Sequence, residues 1–213
     1  MSSPPRLHVV TDDEILARYD FEQRAREVLE AGGGSIALHL RGPRTDGRRL
    51  HDLGVALNEP ASRSGSILVV NDRVDVALAL GLNAVQLGRR SLPWGDVRRL
   101  IGSGVIGVSC HGEGDVVAAR TFDASWLILG NVYETKSHPD RPGLGPDLVR
   151  TLVETAGSVP VVAIGGVTPD RVEGVLHTGA WGVAVLSGIW SVGSPRVATS
   201  EYISVLQAEA RET

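Results

Sequence analysis

Eight short apolar runs, at residues 7–10, 35–40, 67–70, 84–87, 105–108, 126–129, 161–164 and 182–186, punctuate this sequence. Runs of this length read as strands covered on both faces, the habit of parallel sheets. Segments with helical spacing lie between them, among them 21–31, 50–62, 97–101, 148–156 and 197–210. Parallel neighbours need a crossover, usually a helix. Strand and helix alternating eight times within 213 residues therefore predict a (β/α)₈ barrel, in roughly the smallest length that permits one. An open doubly wound sheet is the rival, but it would carry a glycine fingerprint after its first strand. Here Thr11-Asp12-Asp13 follows that strand, without a glycine. The chain reads as a single barrel domain over residues 1–213, with residues 1–6 a loose N-terminal segment.

Composition removes several function classes. The formal net charge is −4, with no basic run, so nucleic acid is not an expected partner. No apolar stretch reaches the length of a membrane span, and the opening MSSPPRLHVV lacks the apolar centre of a signal peptide. A single cysteine, Cys110, allows no internal disulfide and suits a reducing compartment. The cytoplasm is the expected location, and a homodimer stays open.

A barrel keeps its active site at the carboxyl ends of its strands. The seventh run ends in Gly165-Gly166, and the eighth is followed by Ser187-Gly188. Small residues there let backbone N–H groups approach an anion, at the usual phosphate corner of such barrels. Thr168 and Pro169 read as the N-cap and first residue of the helix between them. The expected partner is a phosphorylated small molecule.

Other rim residues add polar groups. His39 and Arg41 alternate with Leu38 and Leu40, so both face the barrel interior near its mouth. An arginine there recognises phosphate or carboxylate, or else braces the barrel through an ion pair. Asn71 and Asp72 close the third strand and suit ligand binding, Mg²⁺ or a helix cap. Ser109 faces the mouth, while Cys110 turns outward as packing. The loop GNVYETKSHPDRPGLG, residues 130–145, brings Thr135, Lys136, Ser137 and His138 close together. His138 is either a general acid–base group or a solvated surface histidine. The tryptophans at 94, 126, 181 and 190 read as helix–barrel packing, and no His/Cys grouping has zinc spacing.

The motifs LHVVTDD, LHLR, VVNDRVDVALALG, VQLG, IGVSCH, GNVYETKSHPDRPGLG, VPVVAIGGVTP and GVAVLSGIW, in this order, resemble the thiamine phosphate synthase superfamily. The resemblance runs from about residue 7 to 189 and implies the same barrel. It also implies one of two enzymes. The synthase joins a hydroxymethylpyrimidine diphosphate to a thiazole phosphate with Mg²⁺; the TenI-type tautomerase aromatises a thiazole carboxylate phosphate without metal. The synthase has Gln, Arg and Lys alternating after strand two, where this chain has His39, Arg41 and Pro43. Where the synthase has a second metal-binding aspartate, this chain has Arg89, Arg90 and Ser91. Both differences resemble the tautomerase. Asn131, however, stands where the tautomerase has a histidine. The resemblance further implies a thiazole-phosphate cradle of Thr135, Ser137, Gly165, Gly166, Leu186 and Ser187. The expectation is a tautomerase with no cofactor, with His138 and Asn131 at the reacting carbon and His39, Arg41, Asn71, Asp72 and Ser109 around the substrate. The alternatives are the synthase, with Mg²⁺ on Asp72, and a non-catalytic regulator that binds thiazole phosphate.

Overall fold

A computed structural model describes residues 3–135 and 142–212. Its eight strands are β1 (Leu7–Val10), β2 (Ile36–Leu40), β3 (Ile67–Asn71), β4 (Ala84–Leu87), β5 (Val105–Cys110), β6 (Trp126–Gly130), β7 (Val161–Ile164) and β8 (Gly182–Val185). All pair in parallel in chain order, and Leu7 opposite Val183 closes β1 onto β8. The expected (β/α)₈ barrel is the observed fold.

Ten helices surround it among the described residues: α1 (Asp13–Leu16), α2 (Phe21–Gly32), α3 (Gly47–Ser64), α4 (Val74–Ala79), α5 (Trp94–Ile101), α6 (Glu113–Thr121), α7 (Gly145–Ala156), α8 (Pro169–Leu176), α9 (Ser187–Trp190) and α10 (Pro195–Glu212). Their ends follow local chemistry. The Asp46 carboxylate accepts the Arg49 N–H at the start of α3, and Gly65 ends that helix with φ +78°.

Alternation along the strands divides the apolar residues into two cores. Val10, Ala37, Val69, Ala84, Trp126, Ile128, Val162 and Ala184 fill the barrel interior. The outward set, including Leu7, Leu38, Leu40, Val85, Leu127 and Val183, packs against the helices. Cys110 lies in that outer layer, where burial pushes its thiol up to about 12, so its reading as packing stands. Trp126 departs from expectation. It sits inside the barrel, edge-on to His8 with ring centroids 5.0 Å apart.

The start of the chain also differs from the expected loose segment. The Arg6 guanidinium donates to the carbonyls of Trp181 at 2.8 Å and Leu206 at 3.0 Å. The Trp181 indole donates to the Pro4 carbonyl at 2.9 Å. Residues 4–6 thereby form part of the barrel floor. No helix among the described residues is long and apolar enough to cross a membrane.

Candidate active site

A cavity of about 420 Å³ opens at the carboxyl ends of the strands. Its walls include Arg41, Asn71, Asp72, Ser109, Asn131, Thr135, Gly165, Gly166, Leu186 and Ser187. One pocket thus gathers ten of the thirteen residues singled out from sequence. Ser137 and His138 lie outside the described residues. His39 is the thirteenth, and it is fully buried behind the wall. It reaches the cavity through Asn71, whose amide lies 3.1 Å from its Nδ1. Burial holds His39 down at about 4, so the ring is neutral and is placed for support rather than for contact.

One end of the cavity is backbone. Gly165 and Gly166 have φ of +105° and +66°, in the left-handed region that favours glycine. A side chain on Gly165 would also strike Asn131, and one on Gly166 would strike Tyr133 and the Glu134 carbonyl. The reason is the β6–α7 loop folded over them: the Val132 N–H donates to the Ile164 carbonyl at 2.8 Å and the Tyr133 N–H to that of Gly165 at 3.0 Å. Across from them, Leu186, Ser187 and Gly188 turn from β8 into α9 and line the same wall. Thr168 occupies the N-cap position of α8, as expected, but its side chain makes no capping bond and instead lines the cavity.

The other end is built from side chains. Arg41 lines the wall, its backbone tied down by the Thr11 hydroxyl, which accepts the Arg41 N–H at 2.8 Å. Arg89 and Arg90 follow β4 into the cavity lining, with Arg89 3.8 Å from the exposed carboxylate of Asp115. Asp72 caps no helix. It has φ +62°, and its Oδ1 accepts from the Gly88 N–H at 3.1 Å and from the Ser91 hydroxyl. Asp72 therefore braces the turn that presents the arginines. His111 and Gly88 also line the cavity without having been selected from sequence. His111 follows the outward-facing Cys110, and the turn after β5 brings it round to the mouth.

These arginines stand at a mouth whose opposite wall, among the described residues, carries no charged side chain and is lined by glycines, hydroxyls, the Asn131 amide and apolar groups. Residues 7–189 match the protein family described as thiamine monophosphate synthase. The chain belongs to that family. The thiamine-phosphate synthase of Methanoculleus marisnigri is 37% identical over 96% of this chain and 98% of its own length. That of Pyrococcus furiosus is 32% identical over 95% of both chains. A solved structure of thiamine phosphate pyrophosphorylase from Pyrococcus furiosus superposes with a TM-score of 0.84 at 30% identity, covering 97% of each chain.

Family membership makes the resemblance firm. The relatives' names do not support placing the chain nearer the tautomerase, as the residues at 39, 41, 43 and 89–91 had suggested; they favour the synthase. The residues present are a poor match for a Mg²⁺ held by the protein. Among the described residues Asp72 is the lone carboxylate in the cavity lining, its Oδ1 already takes two hydrogen bonds, and there is no cluster of three metal-ligating side chains. Arginines stand where a second carboxylate would be needed.

Proposed function

We propose that this chain makes thiamine phosphate by transferring a pyrimidine from its diphosphate to a thiazole phosphate. The observation that carries the reading is the lining of the cavity, which brings Arg41, Arg89 and Arg90 together and holds one imidazole, His111, among the described residues. The thiazole phosphate rests on the N–H groups of Gly166 and Ser187, with Thr135 of the cavity wall beside it and Ser137 assigned to the same group by the family resemblance. Arg41, Arg89 and Arg90 receive the diphosphate. In the transfer, the bond between the pyrimidine methylene carbon and the diphosphate oxygen breaks, and its electron pair leaves with the diphosphate. The lone pair of the thiazole ring nitrogen forms the new carbon–nitrogen bond. No proton has to move. What the protein must supply is cationic charge where negative charge gathers, together with orientation of the two rings.

An aromatising tautomerase needs the reverse, a group that takes a proton from one carbon and returns it to another. Asn131 carries an amide that cannot do so, and its Nδ2 donates to the Tyr133 carbonyl at 3.2 Å. The tautomerase reading keeps one specific support, Arg90 and Ser91 in place of the second metal-binding carboxylate. It then assigns the proton transfer to His138.

The deciding assay incubates the protein with both synthase substrates, with and without Mg²⁺, and detects thiamine phosphate by mass spectrometry. Its formation at a rate proportional to enzyme establishes the transfer. Its absence, with tautomer conversion seen by NMR in the wild type and lost in His138→Ala, replaces the transfer with the tautomerase. Binding of thiazole phosphate with neither reaction leaves a regulator.

A further inference from the structure

Two buried hydrogen-bonded relays connect the barrel floor to the cavity wall. The first starts at Trp126, whose indole N–H donates to Gln86 Oε1 at 2.8 Å. Gln86 Nε2 in turn donates to Ser109 Oγ at 3.1 Å. An indole nitrogen can only donate, so the Gln86 carbonyl must face it and the Gln86 NH₂ must face Ser109. The serine oxygen is thereby an acceptor for the protein, and its own proton is left for the cavity that Ser109 lines. Gly107 makes room for this pair, because a Cβ there would strike both Gln86 Oε1 and Trp126 Nε1.

The second relay starts at a group that can only accept. His8 Nε2 lies 3.1 Å from the Pro5 carbonyl oxygen, His8 Nδ1 lies 2.9 Å from His39 Nε2, and His39 Nδ1 lies 3.1 Å from the amide atom placed as Asn71 Oδ1. The carbonyl requires a proton on His8 Nε2. With both rings neutral, His8 Nδ1 accepts from His39 Nε2–H, and His39 Nδ1 is left as an acceptor. Its partner must then be the NH₂ of Asn71. The two ends of that amide have one shape and exchange by a half-turn about the terminal bond. The opposite orientation would need either a lone pair of His8 facing the Pro5 oxygen or an extra proton on a fully buried pair. Burial opposes that proton, holding His8 well below its usual value and His39 at about 4.

We infer that these relays set the hydrogen-bonding polarity of the cavity, so that Asn71 presents its carbonyl oxygen and Ser109 its hydroxyl proton. His8, His39, Gln86 and Trp126 are positioning residues for that pair. The ligand edge that matches is a nitrogen heterocycle with an N–H donor toward β3 and a lone-pair acceptor toward β5, as in an amine beside a ring nitrogen. An oxyanion matches Ser109 but is repelled by the Asn71 oxygen, which leaves the anion to the arginines and the backbone cradle. This deepens the proposed transfer by naming the edge its pyrimidine ring presents, and only the ligand's name rests on that reading.

The test is the tautomeric state of the two histidines by ¹⁵N NMR of the full chain at pH 7. The expected result is a protonated Nε2 and a bare Nδ1 on both His8 and His39. A proton on His39 Nδ1, or an imidazolium at either ring, overturns the inference. Asn71→Asp replaces the donor facing His39 with a group that only accepts, and should move a proton onto His39 Nδ1; an unchanged His39 spectrum also overturns it. For the other relay, Ser109→Ala and Trp126→Phe should each raise KM for the pyrimidine substrate about tenfold, the worth of one lost hydrogen bond. The double variant should be no worse than Ser109→Ala alone, and additive losses would show that Trp126 does not act through Ser109. The tautomer measurement needs no substrate, so it and the transfer assay fail independently.

Discussion

The two ends of the cavity hold their ligands by different means. At the β7–β8 corner Gly165, Gly166 and Gly188 make the wall main chain. Across the mouth, from β2 to β5, the wall is made of side chains: Arg41, Asn71, Arg89, Arg90 and Ser109. Backbone donors stay in place by virtue of the fold and carry no net charge or titratable group. Side chains supply charge and choice of partner, but each must be held by something behind it. Thr11 holds the Arg41 backbone, Asp72 holds the arginine turn, and the buried relays hold Asn71 and Ser109. The backbone end suits a group common to many substrates, such as a phosphate monoester, and the side-chain end suits the part that differs.

The largest expected effect tests the side-chain end directly. Arg41→Ala removes a cation from where charge gathers in the transition state, and kcat/KM should fall roughly 10²–10³-fold, with the thermal midpoint nearly unmoved. Steady-state kinetics beside a melting curve checks this. A loss under tenfold would mean that Arg41 braces the barrel and that Arg89 and Arg90 carry the charge.

Acid should separate the two ends, because the buried histidines His8 and His39 stand behind the side-chain end. The unfolded chain protonates His39 near 6.5, while the folded protein holds it at about 4. Stability is therefore full above pH 6.5 and is lost as the pH falls toward 4, by about 3 kcal/mol over that window. His8 shifts in the same direction and adds to the loss. Urea midpoints at pH 7 and pH 5 measure it, and His39→Gln should flatten the dependence. An equal slope in that variant would place the titration elsewhere.

The backbone end should respond to bulk instead. Gly165→Ala puts a side chain at φ +105° and against Asn131, which should cost about 2 kcal/mol of stability and weaken inorganic phosphate binding. Chemical denaturation and phosphate titration check the two parts. A variant with native stability and phosphate affinity would show that the β6–α7 loop shifts freely and that the cradle is not formed by these glycines.

The same contrast explains what the sequence made legible. The cradle could be read because its message is local: a pair of glycines ending one apolar run, and a serine and glycine following the next. The barrel could be read because eight runs at near-regular spacing have few other solutions. The relays could not, since Trp126 and Gln86 are 40 residues apart and His39 and Asn71 32 apart. Their meeting depends on strand register, which no local pattern states. Gln86 did leave a trace, as a polar residue inside the run AVQL. His39 was rightly placed on the inward face, but its depth put it behind the wall. The segment holding His138 and Ser137 lies outside the described residues, so their roles rest on the family resemblance.

The smallest expected effect concerns Mg²⁺ and sharpens the contrast furthest. If arginines rather than paired carboxylates neutralise charge at the side-chain end, the protein by itself has little to offer a divalent cation. Mg²⁺ usually takes one or two carboxylates together with substrate phosphates, and the Asp72 Oδ1 here is occupied by Gly88 and Ser91. Millimolar MgCl₂ added without substrate should shift the thermal midpoint by less than about 1 °C, since an ion with Kd above its working concentration adds under about 0.4 kcal/mol. Inorganic diphosphate alone should give a clear upward shift, and Arg89→Ala combined with Arg90→Ala should diminish it. A rise of several degrees with Mg²⁺ alone would reveal a cation site that uses carboxylates beyond Asp72 of the described cavity lining. The side-chain end would then share the relatives' metal chemistry, and the arginines would be an addition to it.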